Sequence, residues 1–378
     1  MPDADRQAVL DRAATVVVKV GTNVLADAAG HLDADRIGTL VDQLTRVRAG
    51  GRRVVLVTSG AIGAGVGRLR LQGRPADLPH LQACAAVGQS ALMQLYQQHF
   101  DRYGLLAAQV LLTAGDFDNR PRYLNVRNTL RTLFEYPCVP VVNENDTVSV
   151  AEIRFGDNDH LAAMVANLLQ APLLVLLTNV DGLYSADPRE DPTAALVPTV
   201  RHIDRAVTDL AGATRSALGT GGMRSKLRAA RVATAAGGAV VVANGAAGGV
   251  LDRIFAGEPV GTLFLPHGES LPAWKRWVGF TASPKGVFVL DPGAVEAVVR
   301  QGKSLLPVGV REVRGEFGKG DVVSLTDPAG AEVARGLTNY PAADAGRIAG
   351  LKSDRLFEVL GAVPYGELVH RDNLAVTG

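Results

Sequence analysis

Short apolar runs alternate with segments of helical periodicity up to about residue 265, and this alternation constrains the fold more than any other feature of the chain. Residues 16–18 and 54–57 are apolar runs, and residues 37–47 between them place apolar side chains at i, i+3, i+4, i+7 and i+10. Further apolar runs of the same kind lie at residues 110–112, 139–142, 173–177 and 239–242. Strands that are apolar on both faces and separated by helices form parallel sheets covered on both sides. The sequence therefore predicts an α/β fold in which a mostly parallel central sheet lies between two helical layers.

The sequence after Pro266 has a different texture, with short strands and turns in place of the alternation. Apolar segments predict strands over residues 286–290, 308–313, 322–325 and 332–337, and residues 293–300 predict a helix between them. A chain of 378 residues exceeds the size at which a single core usually stops growing. We therefore predict two domains, residues 1–268 and a small β-rich domain over residues 269–378.

Composition and charge exclude several classes of protein. The formal net charge of +1 gives no basic excess that would favour nucleic acid as the main partner. Cys84 and Cys138 lack metal-ligand spacing and lie in apolar surroundings, which is typical of buried thiols in a reducing cytosol. The apolar runs are far too short to span a bilayer. We expect a cytoplasmic protein that does not enter the membrane.

Polar or glycine-rich segments follow four of the predicted strands in the first domain. They begin at Lys19, Thr58, Asn143 and Thr178. Any one of them is explained by turn chemistry, since Asn, Asp and Gly favour turns. Four together are better explained by a ligand site, because open α/β sheets bind ligands at the carboxyl ends of their strands.

Residues 219–226, Gly-Thr-Gly-Gly-Met-Arg-Ser-Lys, open a predicted helix and resemble an anion site. Glycines allow a polyanion to approach the main chain, and a helix N-terminus attracts negative charge. A solvated Lys226 is the alternative, but a cation at a helix N-terminus is disfavoured by about 0.3–1 kcal/mol unless an anion is near. The segment therefore predicts phosphate binding.

A second cluster, Gly-Asp-Asn-Asp-His at residues 156–160, precedes another predicted helix. Helix capping accounts for one or two of its polar side chains. The rest suggest metal handling or the positioning of cations, with Asp157 and Asp159 as candidates. The seven histidines are scattered without an evident Ser or Asp partner, so the sequence predicts no nucleophilic relay.

These segments together resemble the amino acid kinase family, and within it the members that phosphorylate L-glutamate. The matching segments run in order along the first domain at residues 17–22, 57–62, 86–89, 143–146, 156–159, 177–184 and 219–226. The resemblance implies a three-layer αβα sandwich. Residues 277–360 resemble a PUA domain, a small β-rich pseudobarrel. Thr178-Asn179 and Arg224-Ser225 depart from residues that are common in the family, which bears on nucleotide contacts more than on the reaction.

The resemblance also implies substrates and residue roles. It implies transfer of a phosphoryl group from ATP, with Mg²⁺ on its phosphates, to the side-chain carboxylate of L-glutamate, giving L-glutamyl 5-phosphate as the first step of proline biosynthesis. The implied catalytic residues are Lys19, Lys226 and Asp159, and the implied glutamate-binding residues are Ser59, Asp146 and Asn158. Gly21, Gly60, Gly221 and Gly222 are expected to let main-chain N–H groups reach the phosphate oxygens. The implied ATP-binding residues are Lys19, Gly21, Thr178, Asn179, Thr220, Gly221, Gly222, Met223, Arg224, Ser225 and Lys226.

Several partners and alternatives follow from the same resemblance. It implies a homo-oligomer, a dimer or a tetramer, with glutamate-5-semialdehyde dehydrogenase as a recipient of the unstable product and proline as a feedback inhibitor. Another kinase of the family, acting on aspartate, acetylglutamate, carbamate or uridylate, is an alternative. A further alternative is RNA binding through the second domain, but Glu312 and Glu316 interleave with the basic residues there, so RNA is not the favoured partner.

Overall fold

The computed structural model describes residues 3–27, 31–149, 158–211, 222–266, 272–352, 355–361 and 365–377. The chain divides into two compact units, Met1–Ser270 and Leu271–Gly378. The predicted domain boundary at residues 268 and 269 falls among residues 267–271, which lie outside the described residues.

The first unit alternates strands with helices, as the sequence predicts. Its helices are α1 (Ala4–Arg12), α2 (Thr22–Leu25), α3 (Ala34–Ala49), α4 (Ala61–Arg68), α5 (Leu78–Asp101), α6 (Ala114–Asp118), α7 (Arg120–Leu133), α8 (Asn158–Leu169), α9 (Arg205–Leu210), α10 (Met223–Ala235) and α11 (Val250–Phe255). Its strands are β1 (Thr15–Val20), β2 (Arg53–Val57), β3 (Leu106–Leu112), β4 (Cys138–Glu144), β5 (Leu173–Thr178), β6 (Thr199–Val200), β7 (Ala239–Asn244) and β8 (Thr262–Phe264).

These strands form one sheet of eight strands within the described residues, in the order β3-β4-β2-β1-β5-β7-β8-β6. All neighbouring strands are parallel except β7 and β8. Helices α3, α5 and α11 pack on one face, and α7, α8 and α10 form a layer on the other. The predicted three-layer sandwich with a mostly parallel sheet is confirmed.

Strand β1 shows how the layers are filled. All six of its side chains are buried, and alternate residues point to opposite faces of a strand. Val16, Val18 and Val20 belong to the core beneath α3, α5 and α11. Val17 and Lys19 therefore face the opposite layer, where α8 packs against β1. This alternation directs a lysine side chain into a buried position between the sheet and a helix.

Helices α4 and α5 approach each other unusually closely because both carry glycine at the contact. A Cβ on Gly65 would lie 1.8 Å from the Cys84 carbonyl oxygen, and a Cβ on Gly88 would lie 1.8 Å from the Ala61 carbonyl oxygen. Real Cβ atoms do not come so near to backbone, so these positions require glycine. The contact holds the first turn of α4, which follows β2, against the middle of α5.

The second unit contains helices α12 (Ala273–Arg276), α13 (Pro292–Val299), α14 (Ala342–Ile348) and α15 (Leu356–Leu360). Its strands are β9 (Gly286–Leu290), β10 (Val310–Gly315), β11 (Val322–Thr326), β12 (Glu332–Thr338) and β13 (Val369–Val376). They form a mixed sheet in the order β10-β9-β11-β12-β13, with β9 and β11 parallel. An isolated bridge between Leu305 and Val369 brings the chain before β10 to the far strand. The predicted small β-rich domain is confirmed.

The second unit has its own core, which includes Phe288, Leu325, Tyr340 and Ile348. Phe288 packs edge-to-face on Phe317, with the ring centroids 5.6 Å apart.

Cys84 and Cys138 in the first unit are buried free thiols, as expected. Within the described ranges, no helix combines the length and apolar character that crossing a membrane requires.

Candidate active site

The polar segments predicted at strand ends converge on one edge of the first sheet. Strands β4, β2, β1 and β5 are neighbours and run parallel, so their carboxyl ends lie side by side. Lys19 is the penultimate residue of β1, Thr58 and Ser59 follow β2, and Asn143 lies near the end of β4. The structure therefore places these segments together, at the position where open α/β sheets bind ligands.

A buried cluster of two lysines and one aspartate lies at this edge. Lys19 Nζ is 2.6 Å from Asp159 Oδ1, and Lys226 Nζ is 3.0 Å from Asp159 Oδ2. Asp159 is fully buried, and Lys19 and Lys226 are only 6% and 4% exposed. The contact with Lys19 is an ion pair without the alignment of a directed hydrogen bond, whereas Lys226 donates one to Oδ2. Residues separated by more than two hundred positions in sequence thus converge on one carboxylate.

The two helices of the cluster begin at this point, which explains why it forms. Asp159 lies in the first turn of α8, where the helix dipole stabilises a negative charge. Lys226 lies in the first turn of α10, where the dipole opposes its charge, and Gly222 caps that helix without a side chain. Helices α8 and α10 pack together, so the carboxylate at one N-terminus offsets the lysine at the other. Asp159 therefore also stabilises the start of α10.

The environment of Asp159 fixes its protonation state. Burial raises the pKa of its carboxyl group, but the nearby positive charges of Lys19 and Lys226 outweigh burial and lower the pKa to about 2. The side chain is therefore a carboxylate at neutral pH and has no proton to donate. It serves as an anchor for the two ammonium groups.

Asn158 connects the first turn of α8 to two strand ends. Its Nδ2 donates to Asn143 Oδ1 and to Ser59 Oγ, both at 2.9 Å, and to the Thr58 carbonyl oxygen. Asn143 is itself buried, with 1% of its surface exposed. Two of the three predicted glutamate-binding residues, Ser59 and Asn158, are thus in direct contact. The third, Asp146, is half-buried in the turn that follows β4.

The predicted phosphate-contacting glycines differ in geometry. Gly60 has φ of +104°, a left-handed conformation that favours glycine, and it caps α4. The N–H of Gly21 donates to the Leu177 carbonyl oxygen at 3.2 Å. A Cβ at Gly21 would lie 3.6 Å from Lys19 Nζ. The absence of a side chain there keeps the approach to the lysine open.

The residues predicted to bind nucleotide lie on the side of β5 and α10. Thr178 is buried at the end of β5, and its hydroxyl donates to Asn179 Oδ1 at 3.3 Å, while Asn179 is exposed. Gly222, Met223 and Arg224 form the start of α10. The Ser225 hydroxyl is buried and lies 3.0 Å from Asp159 Oδ2 and 2.9 Å from the Gly222 carbonyl oxygen. The side chain of Ser225 therefore supports Asp159. Thr220, Gly221 and Asp157 lie outside the described residues.

The described residues do not form a dedicated metal site. No group of three or more His, Cys, Asp or Glu side chains among them is arranged to hold a metal ion. Both oxygens of Asp159 lie within 3.0 Å of lysine nitrogens, so this carboxylate is held by the two ammonium groups.

Sequence reasoning missed several groups that hold these residues in place. Tyr96 Oη and Thr58 Oγ1 form a fully buried hydrogen bond of 2.8 Å directly before Ser59, and burial raises the pKa of Tyr96. Gln89 accepts a hydrogen bond of 2.9 Å from Asn143 Nδ2. Both residues lie on the buried face of α5. A polar side chain on the buried face of a helix is the sequence pattern that could have indicated their role.

Comparison with known proteins follows the division into two units. The model of the amino acid kinase family matches residues 14–244, and that of the PUA domain matches residues 286–360. Glutamate 5-kinase from Moorella thermoacetica is 48% identical over 378 residues, which cover all of both chains. Glutamate 5-kinase from Chromohalobacter salexigens is 50% identical over 367 residues, 97% of each chain. A relative of the same name from Caldanaerobacter subterraneus is 44% identical over 96% of this chain and 97% of its own.

The family match spans the whole cluster of Lys19, Asp159 and Lys226, and the relatives match along the full length, including the second unit. The chain therefore belongs to the amino acid kinase family, and within it to the group of PUA-containing proteins named glutamate 5-kinase.

Proposed function

We propose that this chain transfers the γ-phosphoryl group of ATP to the side-chain carboxylate of L-glutamate, giving L-glutamyl 5-phosphate and ADP. The observation that carries the proposal is the buried pair of lysines held on one carboxylate at the ligand-binding edge of the sheet. The full-length relatives named glutamate 5-kinase support glutamate as the acceptor over aspartate, acetylglutamate, carbamate or uridylate.

The lysine cluster suits the transfer of a phosphoryl group. Lys19 approaches from the sheet and Lys226 from a helix N-terminus, so their ammonium groups converge from two sides. Phosphoryl transfer depends on positioning and on stabilising negative charge on the transferred group and the leaving oxygen. Both lysines are held before substrate arrives, because Asp159 fixes them with distances of 2.6 and 3.0 Å. Little reorganisation is then needed in the transition state.

The acceptor needs no general base. A glutamate side chain has an ordinary pKa of about 4.3 and is ionised at neutral pH. The Asp159 carboxylate, with its pKa lowered to about 2, is held by lysines and is not positioned as an acid. The chemistry is therefore attack by one carboxylate oxygen on phosphorus, with the electron pair of the broken bond leaving on ADP.

We assign the substrate groups by charge. Asp146 suits the α-ammonium group of glutamate, and Ser59 and Asn158 suit its polar groups at the adjoining strand end. Thr178, Asn179 and the start of α10 suit the nucleotide. Mg²⁺ is expected to arrive on the ATP phosphates, where it would neutralise charge, since it usually keeps several waters and binds substrate phosphates.

A substrate panel tests the proposal directly. The full chain is assayed for ADP release with ATP and each of L-glutamate, L-aspartate, N-acetyl-L-glutamate, carbamate and UMP. An acyl phosphate product is trapped with hydroxylamine as the hydroxamate. We expect turnover and hydroxamate with L-glutamate, and preferential turnover of any other acceptor would overturn the assignment.

A variant of the cluster tests the mechanism. Lys226→Met should lower kcat by about a hundredfold to a thousandfold, because removal of one charge-stabilising donor has effects of that size. Arg231→Met, on the exposed side of the same helix, is the matched control and should retain activity. A loss below about tenfold for Lys226→Met, about 1.4 kcal/mol of barrier, contradicts the proposed role.

The remaining expectations about partners are proposals as well. We expect the chain to act in the cytoplasm and to catalyse the first step of proline biosynthesis. We also expect a dimer or tetramer by light scattering, feedback inhibition by proline, and transfer of the product to glutamate-5-semialdehyde dehydrogenase.

RNA binding by the second unit is not favoured. Arg314 on β10 forms a two-pronged ion pair with Glu312, which neutralises a basic side chain that RNA phosphates would need.

A further inference from the structure

A chain of side-chain amides runs from α5 to the predicted glutamate site. Gln89 Nε2 donates to Gln109 Oε1 at 3.1 Å, and Asn143 Nδ2 donates to Gln89 Oε1 at 2.9 Å. Asn158 Nδ2 then donates to Asn143 Oδ1 at 2.9 Å. Gln89 and Asn143 are buried, with exposed fractions of 9% and 1%. The chain therefore connects β3, α5, β4 and the start of α8, in that order.

Two backbone groups fix the direction of every amide in this chain. The Glu144 N–H donates to Asn143 Oδ1 at 2.9 Å, so the Nδ2 of Asn143 must face Gln89. The Thr58 carbonyl can only accept, so the Nδ2 of Asn158 must face it. If either asparagine amide were flipped, two donors or two acceptors would face each other. On the other side of Asn143, Gln89 Oε1 accepts the hydrogen bond from Asn143 Nδ2.

This direction determines what the site offers a substrate. The two protons of Asn158 Nδ2 are shared among three acceptors, so Asn158 Oδ1 faces the opposite side of the amide. The Ser59 oxygen accepts one of these bonds and keeps its own proton for another acceptor. The arrangement presents a carbonyl oxygen to a cation and a hydroxyl proton to a carboxylate. An amino acid carries both groups.

We propose that Gln89 is a positioning residue that sets the orientation of Asn158, through Asn143, for binding of L-glutamate. Gln89 acts at a distance because its connection to Asn158 runs through Asn143. Without the acceptor at residue 89, the buried Asn143 Nδ2 loses its partner, which favours displacement of the Asn143 side chain and weakens its contact with Asn158. The substrate then meets the correct donor and acceptor pattern only part of the time. The inference rests on glutamate being the acceptor substrate.

The test compares two substitutions of Gln89 in steady-state kinetics of the full chain. Gln89→Met keeps the size but cannot accept, and it should raise the KM for L-glutamate by about tenfold or more while the KM for ATP changes less than about twofold. Gln89→Glu keeps an oxygen that accepts from Asn143, and the amide of the exposed Gln109 can turn over to donate to the other oxygen, so the KM for glutamate should return to within about threefold of the parent. If Gln89→Met does not fold, Gln89→Asn, too short to reach Asn143, replaces it with the same expectation.

Gln97→Met is the matched control. Gln97 lies on the same helix, donates to the Leu105 carbonyl and accepts from the Ala107 N–H at the opposite end of β3. It should lower stability without changing the KM for glutamate. Equal changes for Gln89→Met and Gln97→Met, or an unchanged glutamate KM in Gln89→Met, would overturn the inference. A parent protein that does not phosphorylate glutamate would instead overturn the proposed function, so the two failures are distinguishable.

Discussion

Replacement of Asp159 by asparagine removes the carboxylate that holds both buried lysines, and it should destabilise the first unit by about 2–5 kcal/mol at neutral pH. The lower figure comes from the pKa of Asp159, which falls from an ordinary 3.8 to about 2 in the folded chain. A difference of nearly two pKa units corresponds to about 2 kcal/mol of stability. The upper figure is the cost of leaving one partner of a buried ion pair uncompensated, about 3–5 kcal/mol.

The destabilisation caused by Asp159→Asn should depend on pH, in a direction set by the lowered pKa of Asp159. Because the folded pKa lies below the unfolded one, the carboxylate stabilises the fold above about pH 4, and this contribution is lost as the pH falls towards 2. The difference in free energy of unfolding between the parent and Asp159→Asn should therefore be full at pH 7 and roughly half as large at pH 3.

The assay must report on the first unit alone, because two units need not unfold together. Urea-dependent hydrogen exchange of peptides from β1 and α8, read by mass spectrometry, reports on the cluster. Trp277 fluorescence reports on the second unit and should not change. Asp252→Asn is the control, because its ion pair with Arg46 at 2.7 Å is exposed and contributes at most about 1 kcal/mol. A loss below about 1 kcal/mol in Asp159→Asn, or one that does not depend on pH, would refute the reasoning.

Three further predictions concern stability. Lys19→Met should abolish phosphorylation yet lower the Tm less than Asp159→Asn does. The reason is that it removes one of two buried positive charges and leaves Asp159 and Lys226 as a pair with no net charge. A larger decrease in Tm than in Asp159→Asn would contradict this. Tyr96→Phe leaves the Thr58 hydroxyl without its buried partner and should cost about 1–2 kcal/mol in urea denaturation, with an unchanged midpoint as the contrary result. Gly88→Ala should cost about 1–3 kcal/mol by the same measurement, because the new methyl group would meet the Ala61 carbonyl, and a neutral effect would show that the two helices can separate freely.

The strands that sequence predicted best are those buried on both faces. Every residue of β1, β4 and β5 is buried, so an uninterrupted apolar run identified each of them. Strand β13 was missed because its middle residues, 370–373, are polar and largely exposed, so they do not resemble a strand in sequence. Their extended conformation is stabilised by pairing with β12. Strand β10 begins at Val310 because Pro307–Gly309 form a 3₁₀ turn, in which the proline ring fixes φ.

The site shows a similar limit. Lys19, Asp159 and Lys226 could be selected from sequence because their residue types at strand and helix ends are typical of anion sites. Their mutual contacts depend on the face of the sheet to which β1 directs Lys19. That face follows from the alternation of side chains along a strand, once it is known which residues of β1 face which helical layer. Gly21 shows a detail that the sequence could not supply. Its N–H donates to the Leu177 carbonyl oxygen, a bond that depends on the pairing of β1 with β5.

The amides behind the site lie beyond sequence reasoning for a physical reason. A hydrogen bond needs its two heavy atoms within a few tenths of an ångström of their preferred distance. Whether Gln89 reaches Asn143 depends on where α5 lies relative to β4, and that position follows from the packing of α5 on α3, α4 and β3. Sequence can show that a polar side chain falls on a buried helix face, and such a side chain must find a partner. Identifying that partner requires the packing of two helices on three strands, which is a property of the whole fold.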